Sequence, residues 1–248
     1  MKKRFLRVRD DFSALPLFDK IFDIAVVAVM ITVTVLQAAL KDDGITTMQL
    51  GLNIASSLTL FITHFLFSPK CAPGGLSLKC QKYIDIIVLF GSVGGQFITM
   101  NKYYDNYDTA THLVTGSVVC FIAYYLYEYY SNEPPYKNKK LCAMFCFFMS
   151  VSVSLLWEIF EFVSDFLTGS TCQGYDLGAG NEKFFYFDWF SFAVKPELPG
   201  AMYDTFADVI AGLITAIITT AVISRLMKRK AAHLQNESLK TESELALK

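Results

Sequence analysis

Six apolar blocks, each long enough to cross a lipid bilayer as a helix, dominate the sequence. They cover residues 21–40, 47–67, 83–100, 110–130, 141–162 and 201–227. A helix needs about 20 predominantly apolar residues to cross roughly 30 Å of hydrocarbon. Helices are favoured over a β-barrel because the blocks do not alternate apolar with polar residues. The sequence therefore predicts an all-α, polytopic transmembrane helical bundle with about six spans.

The composition supports a membrane protein and argues against a nucleic-acid partner. Hydrophobic residues make up 53% of the chain and charged residues only 18%, whereas soluble domains have about 25% charged residues. The basic residues flank the apolar blocks and do not line one folded face. Membrane lipids are the expected partners, and the sequence does not specify an oligomeric state.

The Lys and Arg residues are distributed unequally between the segments that connect the blocks. Eighteen of the 22 lie in residues 1–20, 68–82, 131–140 and 225–248. The positive-inside rule places these segments in the cytoplasm, so we predict that both termini are inside. The predicted organisation is a basic cytoplasmic segment at 1–20, a membrane domain at 21–227, and a polar cytoplasmic tail at 228–248 that is extended or weakly helical.

The longest connection on the predicted outer side, residues 163–200, is rich in aromatic residues and includes KFFYFDWFSFAV. Aromatic side chains concentrate at membrane–water interfaces. Two interpretations follow for this segment. It lies flat on the outer surface as an interfacial belt, or it forms a lid over a site.

Three predicted helices carry paired ionisable residues near their outer ends. The pairs are Asp108 with His112, Glu158 with Glu161, and Asp204 with Asp208. Residues three or four apart share a helix face, so each pair points in one direction. An ionisable residue inside a span costs about 2.5–3.5 kcal/mol on insertion scales and suggests a functional site. Gly116 and Gly212 lie one turn further along the same faces, and we expect them to let the helices approach closely.

These residues allow three interpretations. Carboxylate and imidazole groups together suit a divalent metal ion such as Zn, Mn, Fe or Mg. Carboxylates can also relay protons or cations through a membrane, or form a polar network that only fixes helix packing. In the metal interpretation the predicted ligands are Asp108, His112, Glu158 and Asp208. Glu161 or Asp204 would then be the general base.

A second, weaker polar set lies near the predicted cytoplasmic side and consists of His64, Asp85 and Glu128. All three lie close to the ends of apolar blocks, and we expect them to reach water by snorkelling. For His64 the sequence favours a packing residue with its hydrogen bonds satisfied, or one that contacts the nearby Lys-rich loop.

Three stretches resemble the signature sequences of the bacterial YjdF-like inner-membrane family. They are YDNYDTATHLVTG with Asp108 and His112, WEIFEF with Glu158 and Glu161, and YDTFADVIAG with Asp208, within residues 80–225. That family is similar in turn to the VanZ-like proteins linked to glycopeptide resistance. The resemblance implies a multi-pass protein of the bacterial cytoplasmic membrane with a role at the cell envelope.

The leading functional hypothesis is a membrane-embedded, metal-dependent enzyme that acts on a lipid or lipid-linked envelope substrate by hydrolysis or group transfer. The alternative is a small ion- or proton-coupled transporter. The glycines of GSVGG at 91–95 favour it because they could break the third helix, as in transporters with discontinuous helices. A third hypothesis is a non-catalytic envelope protein that binds partners laterally.

Overall fold

The computed structural model describes residues 2–40, 44–100, 103–104, 107–131, 133–168 and 200–246 of the chain. The regular elements of this part of the chain are all helical. In order they are α1 (Lys2–Ser13), α2 (Leu17–Leu40), α3 (Gly44–Ser56), α4 (Thr59–Leu66), α5 (Ala72–Gly75), a 3₁₀ turn (Leu78–Cys80), α6 (Gln81–Val88), a π-helix (Leu89–Phe97), α7 (Tyr107–Tyr130), α8 (Lys139–Thr168) and α9 (Gly200–Ala246).

Several of these helices could cross a membrane. The stretches Leu17–Leu40, Tyr107–Tyr130, Lys139–Val163 and Thr205–Leu239 are long and apolar enough by themselves. Helices α3 and α4 meet at a bend of 59° and together make a fifth candidate span. The predicted span at 83–100 is divided between α6 and the π-helix. The structure thus confirms an all-α bundle with four or five candidate spans, while the sixth span and the inside location of both termini remain predictions.

The glycines of GSVGG, which could have broken the third predicted span, lie in the π-helix, and the backbone stays helical from Gln81 to Phe97. The hydroxyl of Tyr107 donates a hydrogen bond to the carbonyl oxygen of Phe90 over 2.7 Å. That hydroxyl lies so close to Gly94 that a Cβ there would collide with it. This contact fastens the start of α7 to the π-helix.

Helix α1 docks on the end of α4. Arg4 Nη1 donates a hydrogen bond to the carbonyl oxygen of Leu66 over 2.9 Å. Arg7 Nη2 donates to the carbonyl oxygens of His64 and, over 3.1 Å, Gly74. The last carbonyl groups of a helix have no partner within the helix, so the two guanidinium groups cap α4. Arg4 and Arg7 of the basic segment at 1–20 therefore stabilise the end of α4.

Helices α7, α8 and α9 pack together as one three-helix unit. Between α7 and α9, Gly116 contacts Gly212 and Cys120 contacts Ala216. Between α7 and α8, Gly116 contacts Ser150 and Cys120 contacts Cys146. These contacts set the register of the three helices. From Gly116 to Cys120, one turn towards the C-terminus of α7, the contacted residues move one turn towards the C-terminus of α9 and one turn towards the N-terminus of α8. Helices α7 and α9 are therefore parallel, and α8 runs in the opposite direction.

A second group of packed helices comprises α2, α3, α6 and the π-helix. Its buried apolar core is formed by Val26, Met30, Val33, Leu50 and Val88.

At the C-terminal end, α9 continues as a helix to Ala246, so the polar tail, predicted to be extended or weakly helical, is helical as far as the structure describes it. Residues 169–199 of the aromatic outer segment lie outside the described residues, and the choice between belt and lid stays a prediction.

We predict that Gly94→Ala destabilises the protein by about 1–3 kcal/mol, because the added methyl group displaces Tyr107 from Phe90 and overpacks the contact. The measurement is thermal unfolding of the detergent-purified protein. Gly91→Ala is the matched control, since a Cβ at Gly91 meets no atom within 4 Å. Equal unfolding temperatures for the two variants would contradict the packing argument.

Candidate functional site

His112 lies at the centre of an acidic cluster to which α7, α8 and α9 all contribute. Its Nδ1 atom is 3.5 Å from Glu158 Oε1. Its Nε2 atom is 3.8 Å from Asp208 Oδ2 and 3.9 Å from Asp108 Oδ1. The structure therefore brings together the four residues that the sequence suggested as metal ligands. They meet where α7 and α9 begin and α8 ends, the end of the bundle predicted to face outward.

The cluster is buried on all sides except at Asp108. The exposed fraction is 4% for His112 and Glu158, and Asp208 is fully buried. The side chain of Asp108 is 32% exposed. Within the described residues, Asp108 is therefore the member of the cluster that is most accessible to a small molecule or ion.

Glu161 also belongs to this cluster. Trp157 Nε1 donates a hydrogen bond to Glu161 Oε1 over 2.7 Å, which fixes the carboxylate one turn from Glu158. Glu161 is buried, whereas half of the Trp157 surface is exposed on the outside of α8. The tryptophan thus joins a surface expected to face lipid to a carboxylate inside the site.

The helices can bring these groups together because small residues lie beneath them. A Cβ at Gly116 would collide with Thr215 Oγ1 and approach the Gly212 backbone, and a Cβ at Gly212 would collide with Ser154 Oγ. The Ser150 hydroxyl donates a hydrogen bond to the Gly116 carbonyl over 2.7 Å. The predicted close approach at Gly116 and Gly212 is confirmed. Ser150 and Ser154 were not predicted from the sequence, although their spacing of four residues places both on one face of α8.

Asp204, the other residue suggested as a general base, lies in the first turns of α9, but its side chain is outside the described residues. Its role stays a prediction. Its spacing of four residues from Asp208 still puts both positions on one face of α9.

The geometry of the cluster is compatible with metal binding. Two sets of three residues each have ligand atoms within 4.8 Å of one another: Asp108, His112 and Glu161, and His112, Glu158 and Asp208. With metal–ligand bonds of about 2.0–2.2 Å, neighbouring ligand atoms in a tetrahedral site are about 3.4 Å apart. The distances from His112 Nε2 to Asp208 Oδ2 and Asp108 Oδ1 are slightly longer, at 3.8 and 3.9 Å, whereas Glu158 is next to the other ring nitrogen, Nδ1.

The second polar set behaves differently from the expectation. Asp85 does not reach water: it is fully buried, and Gln81 Nε2 donates a hydrogen bond to its Oδ1 over 2.8 Å. The snorkelling prediction for Asp85 is wrong because α2 and the junction of α3 with α4 cover it. Glu128 is exposed, as expected.

His64 has both ring nitrogens engaged. Nε2 is 2.6 Å from the carbonyl oxygen of Leu76, and Nδ1 is 3.3 Å from Asp11 Oδ2. The ring is buried. The interpretation of His64 as a satisfied packing residue is confirmed, and its expected snorkelling is not.

Asp19 and Asp23 on α2 are buried, which was not predicted from the sequence. Their spacing of four residues was a usable signal, since it places both on the helix face that also carries Val26 and Met30.

The comparison with known families identifies the chain. A family model described as "Predicted membrane protein (DUF2238)" matches residues 20–229. The chain belongs to that family. This match confirms the resemblance to the YjdF-like proteins, which are the same family, whereas the more distant relation to VanZ-like proteins stays a prediction. No curated protein and no solved structure matches the sequence.

Membership places this chain among predicted membrane proteins and agrees with the apolar helices of the structure. The matched residues include α7, α8 and the part of α9 that forms the cluster. The family description names no activity, so any chemistry must be argued from the site.

We predict that Gly212→Ala destabilises the three-helix unit by about 1–3 kcal/mol, because the new methyl group collides with Ser154 Oγ. Ser154→Ala in the same chain should recover part of this loss by removing the colliding oxygen. Thermal unfolding of the two single variants and the double variant forms a double-mutant cycle. Simple additivity of the two effects would contradict the close contact.

Proposed function

We propose that the cluster around His112 binds a divalent metal ion and that the protein is a membrane-embedded enzyme. Its substrate would be a lipid or a lipid-linked envelope molecule at the outer leaflet of the bacterial cytoplasmic membrane. The observation that supports the proposal is a buried imidazole surrounded by carboxylates from three helices. Within the three helices, residues 107–130, 141–168 and 200–224 contain no Lys or Arg.

The charge within the cluster favours a divalent ion over a proton alone. Four carboxyl groups lie close to one imidazole: Asp108, Glu158, Glu161 and Asp208. Carboxylates that close raise the energetic cost of one another's ionisation, and a bound cation lowers that cost. A proton on His112 would offset one negative charge, whereas a divalent ion would offset two. Imidazole and carboxylate are also the ligand types that such ions take in helical bundles.

The proposed chemistry is hydrolysis or group transfer at a phosphoryl or acyl centre. A metal ion held by His112 would polarise the substrate oxygen or lower the pKa of a bound water. Glu161 or Asp204 would accept the proton of the attacking water as general base. The oxygen of that water would bond to the phosphoryl or acyl centre, the bond to the leaving oxygen would break, and the leaving oxygen would take the proton from that carboxyl group.

The outer surface of α8 supports a substrate that arrives from the lipid. Trp157, Phe160 and Phe162 are all at least half exposed there. Acyl or prenyl chains could pack against these rings while the polar head reaches Asp108. The indole bond to Glu161 would couple a bound lipid to the carboxylate proposed as base.

We predict that the purified protein, with any affinity tag removed, retains a divalent metal ion in about stoichiometric amount. His112→Ala should weaken metal binding at least about tenfold, since the imidazole is the shared member of both ligand sets. The measurement is elemental analysis after dialysis against a weak chelator. His233→Ala is the matched control, because this histidine is exposed on the helical tail.

Unchanged metal content in His112→Ala would contradict the proposed site. The proposed site would also be contradicted if the native protein bound no added Zn, Mn, Fe or Mg and the variants had the same unfolding temperature as the native protein. Folding of each variant is checked by thermal unfolding, so that loss of metal is not confused with loss of structure.

We predict metal-dependent turnover of a lipid probe by the protein in nanodiscs. The probes are a phospholipid and a polyprenyl diphosphate, and the readouts are released phosphate and released fatty acid. Glu161→Gln should slow turnover by about 10²–10⁴-fold if Glu161 is the base, whereas Glu128→Gln, exposed on α7, should not. Equal rates in Glu161→Gln and wild type would exclude Glu161 from the chemistry. Solute uptake into proteoliposomes without turnover would support the transporter instead.

A further inference from the structure

A second group of buried ionisable side chains lies between α2 and α6, far along the chain from the His112 cluster. Asp19 and Asp23 come from α2, and Lys82 and Asp85 come from α6. Asp19 and Asp23 lie on the face of α2 that Val26 and Met30 continue into the apolar core. The group is therefore at the predicted cytoplasmic end, with apolar side chains between it and the rest of the bundle.

One charge of this group is compensated by a direct ion pair. Lys82 Nζ is 3.0 Å from Asp19 Oδ1 and 3.1 Å from Asp19 Oδ2, so the ammonium group contacts both oxygens. The Lys82 side chain is 26% exposed, and Asp19 is almost fully buried. This pair lies at the edge of the group that is nearest to the start of α2. The carboxyls of Asp23 and Asp85 are not part of this ion pair.

Asp85 is held by a glutamine whose orientation is fixed. The backbone N–H of Leu60 donates to Gln81 Oε1 over 2.9 Å, so the amide NH₂ must point the other way. Gln81 Nε2 donates to Asp85 Oδ1 over 2.8 Å and lies 3.4 Å from the Ser56 carbonyl oxygen. Ser56 ends α3 and Leu60 is in the first turn of α4, so Gln81 joins Asp85 to the bend between these helices.

Asp23 accepts no hydrogen bond within the described part of the chain. It is 2% exposed, and neither of its oxygens accepts a hydrogen bond from an N–H or O–H group of the described residues. The same is true of Asp85 Oδ2. The Asp23 carboxyl lies within hydrogen-bonding reach of the Asp85 carboxyl. Ionised carboxylates only accept hydrogen bonds, so these two groups can bond to each other only if one carries a proton.

The surrounding charges also favour a proton on one of the two carboxyls. The titratable groups that face Asp23 are Asp19, Lys82 and Asp85, and Lys82 is already engaged by Asp19. Two ionised carboxylates in contact, without a further cation and away from water, repel each other strongly. A metal ion is a poorer fit than a proton. Among the described residues, Asp23 and Asp85 belong to no set of three potential ligands, and Gln81 Oε1 is used by Leu60.

We propose that Asp23 and Asp85 bind one proton between them and form a proton-binding site at the cytoplasmic end of the first helical group. The shared proton supplies a hydrogen bond between Asp23 and the Asp85 oxygen that Gln81 does not bind, and it removes one of two buried negative charges. Proton exchange with the cytoplasm would run past the Asp19–Lys82 pair, because the apolar core of Val26 and Met30 closes the opposite side. The site uses none of the residues of the His112 cluster.

Infrared spectroscopy of the full chain in detergent tests this site directly. The wild-type protein should show the C=O band of a protonated carboxyl at neutral pH, and the band should disappear on alkaline titration. Asp23→Asn and Asp85→Asn should each remove that band, because the new amide provides the N–H donor and the remaining carboxylate stays ionised. Spectra are compared between variant and wild type at one pH, which cancels signals from the His112 cluster. Asp10→Asn, on the exposed face of α1, is the matched control and should retain the band.

Thermal unfolding provides a second readout that does not depend on either single variant. Removing the shared proton leaves two buried charges, so the wild-type protein should lose stability as the pH rises. The Asp23→Asn/Asp85→Asn double variant is neutral at both positions and should lack this alkaline loss. Asp10→Asn should follow the wild-type curve.

Three results would overturn the proposal. The first is a protonated-carboxyl band that persists unchanged in both Asn variants. The second is the same alkaline dependence of unfolding in the double variant and the wild type. The third is a wild-type band that is absent at neutral pH and appears only when sodium or another cation is removed, since the pair would then bind that cation.

Discussion

The close contact of α7, α8 and α9 at Gly116 and Gly212 is the constraint on which the candidate site depends. Lipid chains are as apolar as the helices, so association inside a membrane relies on packing and on hydrogen bonds between helices. Two glycines and the Ser150 hydroxyl provide both here. One turn away, the same approach brings His112 to within 4 Å of carboxylates from all three helices. A wider separation at the glycines would move the carboxylates of Glu158 and Asp208 away from His112.

The two halves of the bundle handle buried acids in different ways. The three-helix half is built from long regular helices and surrounds one imidazole with carboxylates, an arrangement suited to a divalent ion. The other half contains a bent helix pair and a π-helix. Irregular backbone inside a membrane needs partners for its free polar groups, and Gln81 provides them at the bend while also binding Asp85. With two carboxyls here, and with Lys82 paired to Asp19 in the part of the chain that the structure describes, a shared proton is the simplest compensation.

Local patterns account for what could be predicted. Apolar length predicted the helices, and spacings of three and four residues predicted which acids share a face. The YjdF-like stretches led to the correct family. Asp85 was misjudged because its position near the start of an apolar block suggested access to water, whereas α2 and the bend at Ser56 and Leu60 cover it. The spacing of Asp19 and Asp23 shows that the two share a helix face, but the partner of Asp23 was not predictable because Asp85 is on another helix.

The sequence by itself determined that this chain forms membrane helices and that its acids lie on defined helix faces, since both follow from residues within a few positions of one another. Only the tertiary structure decided that His112 meets Glu158 and Asp208, and that Asp23 meets Asp85. Those meetings depend on the register between helices, which is set by contacts at Gly116, Gly94 and Gln81. Such contacts join residues distant in the chain, and no local pattern records them.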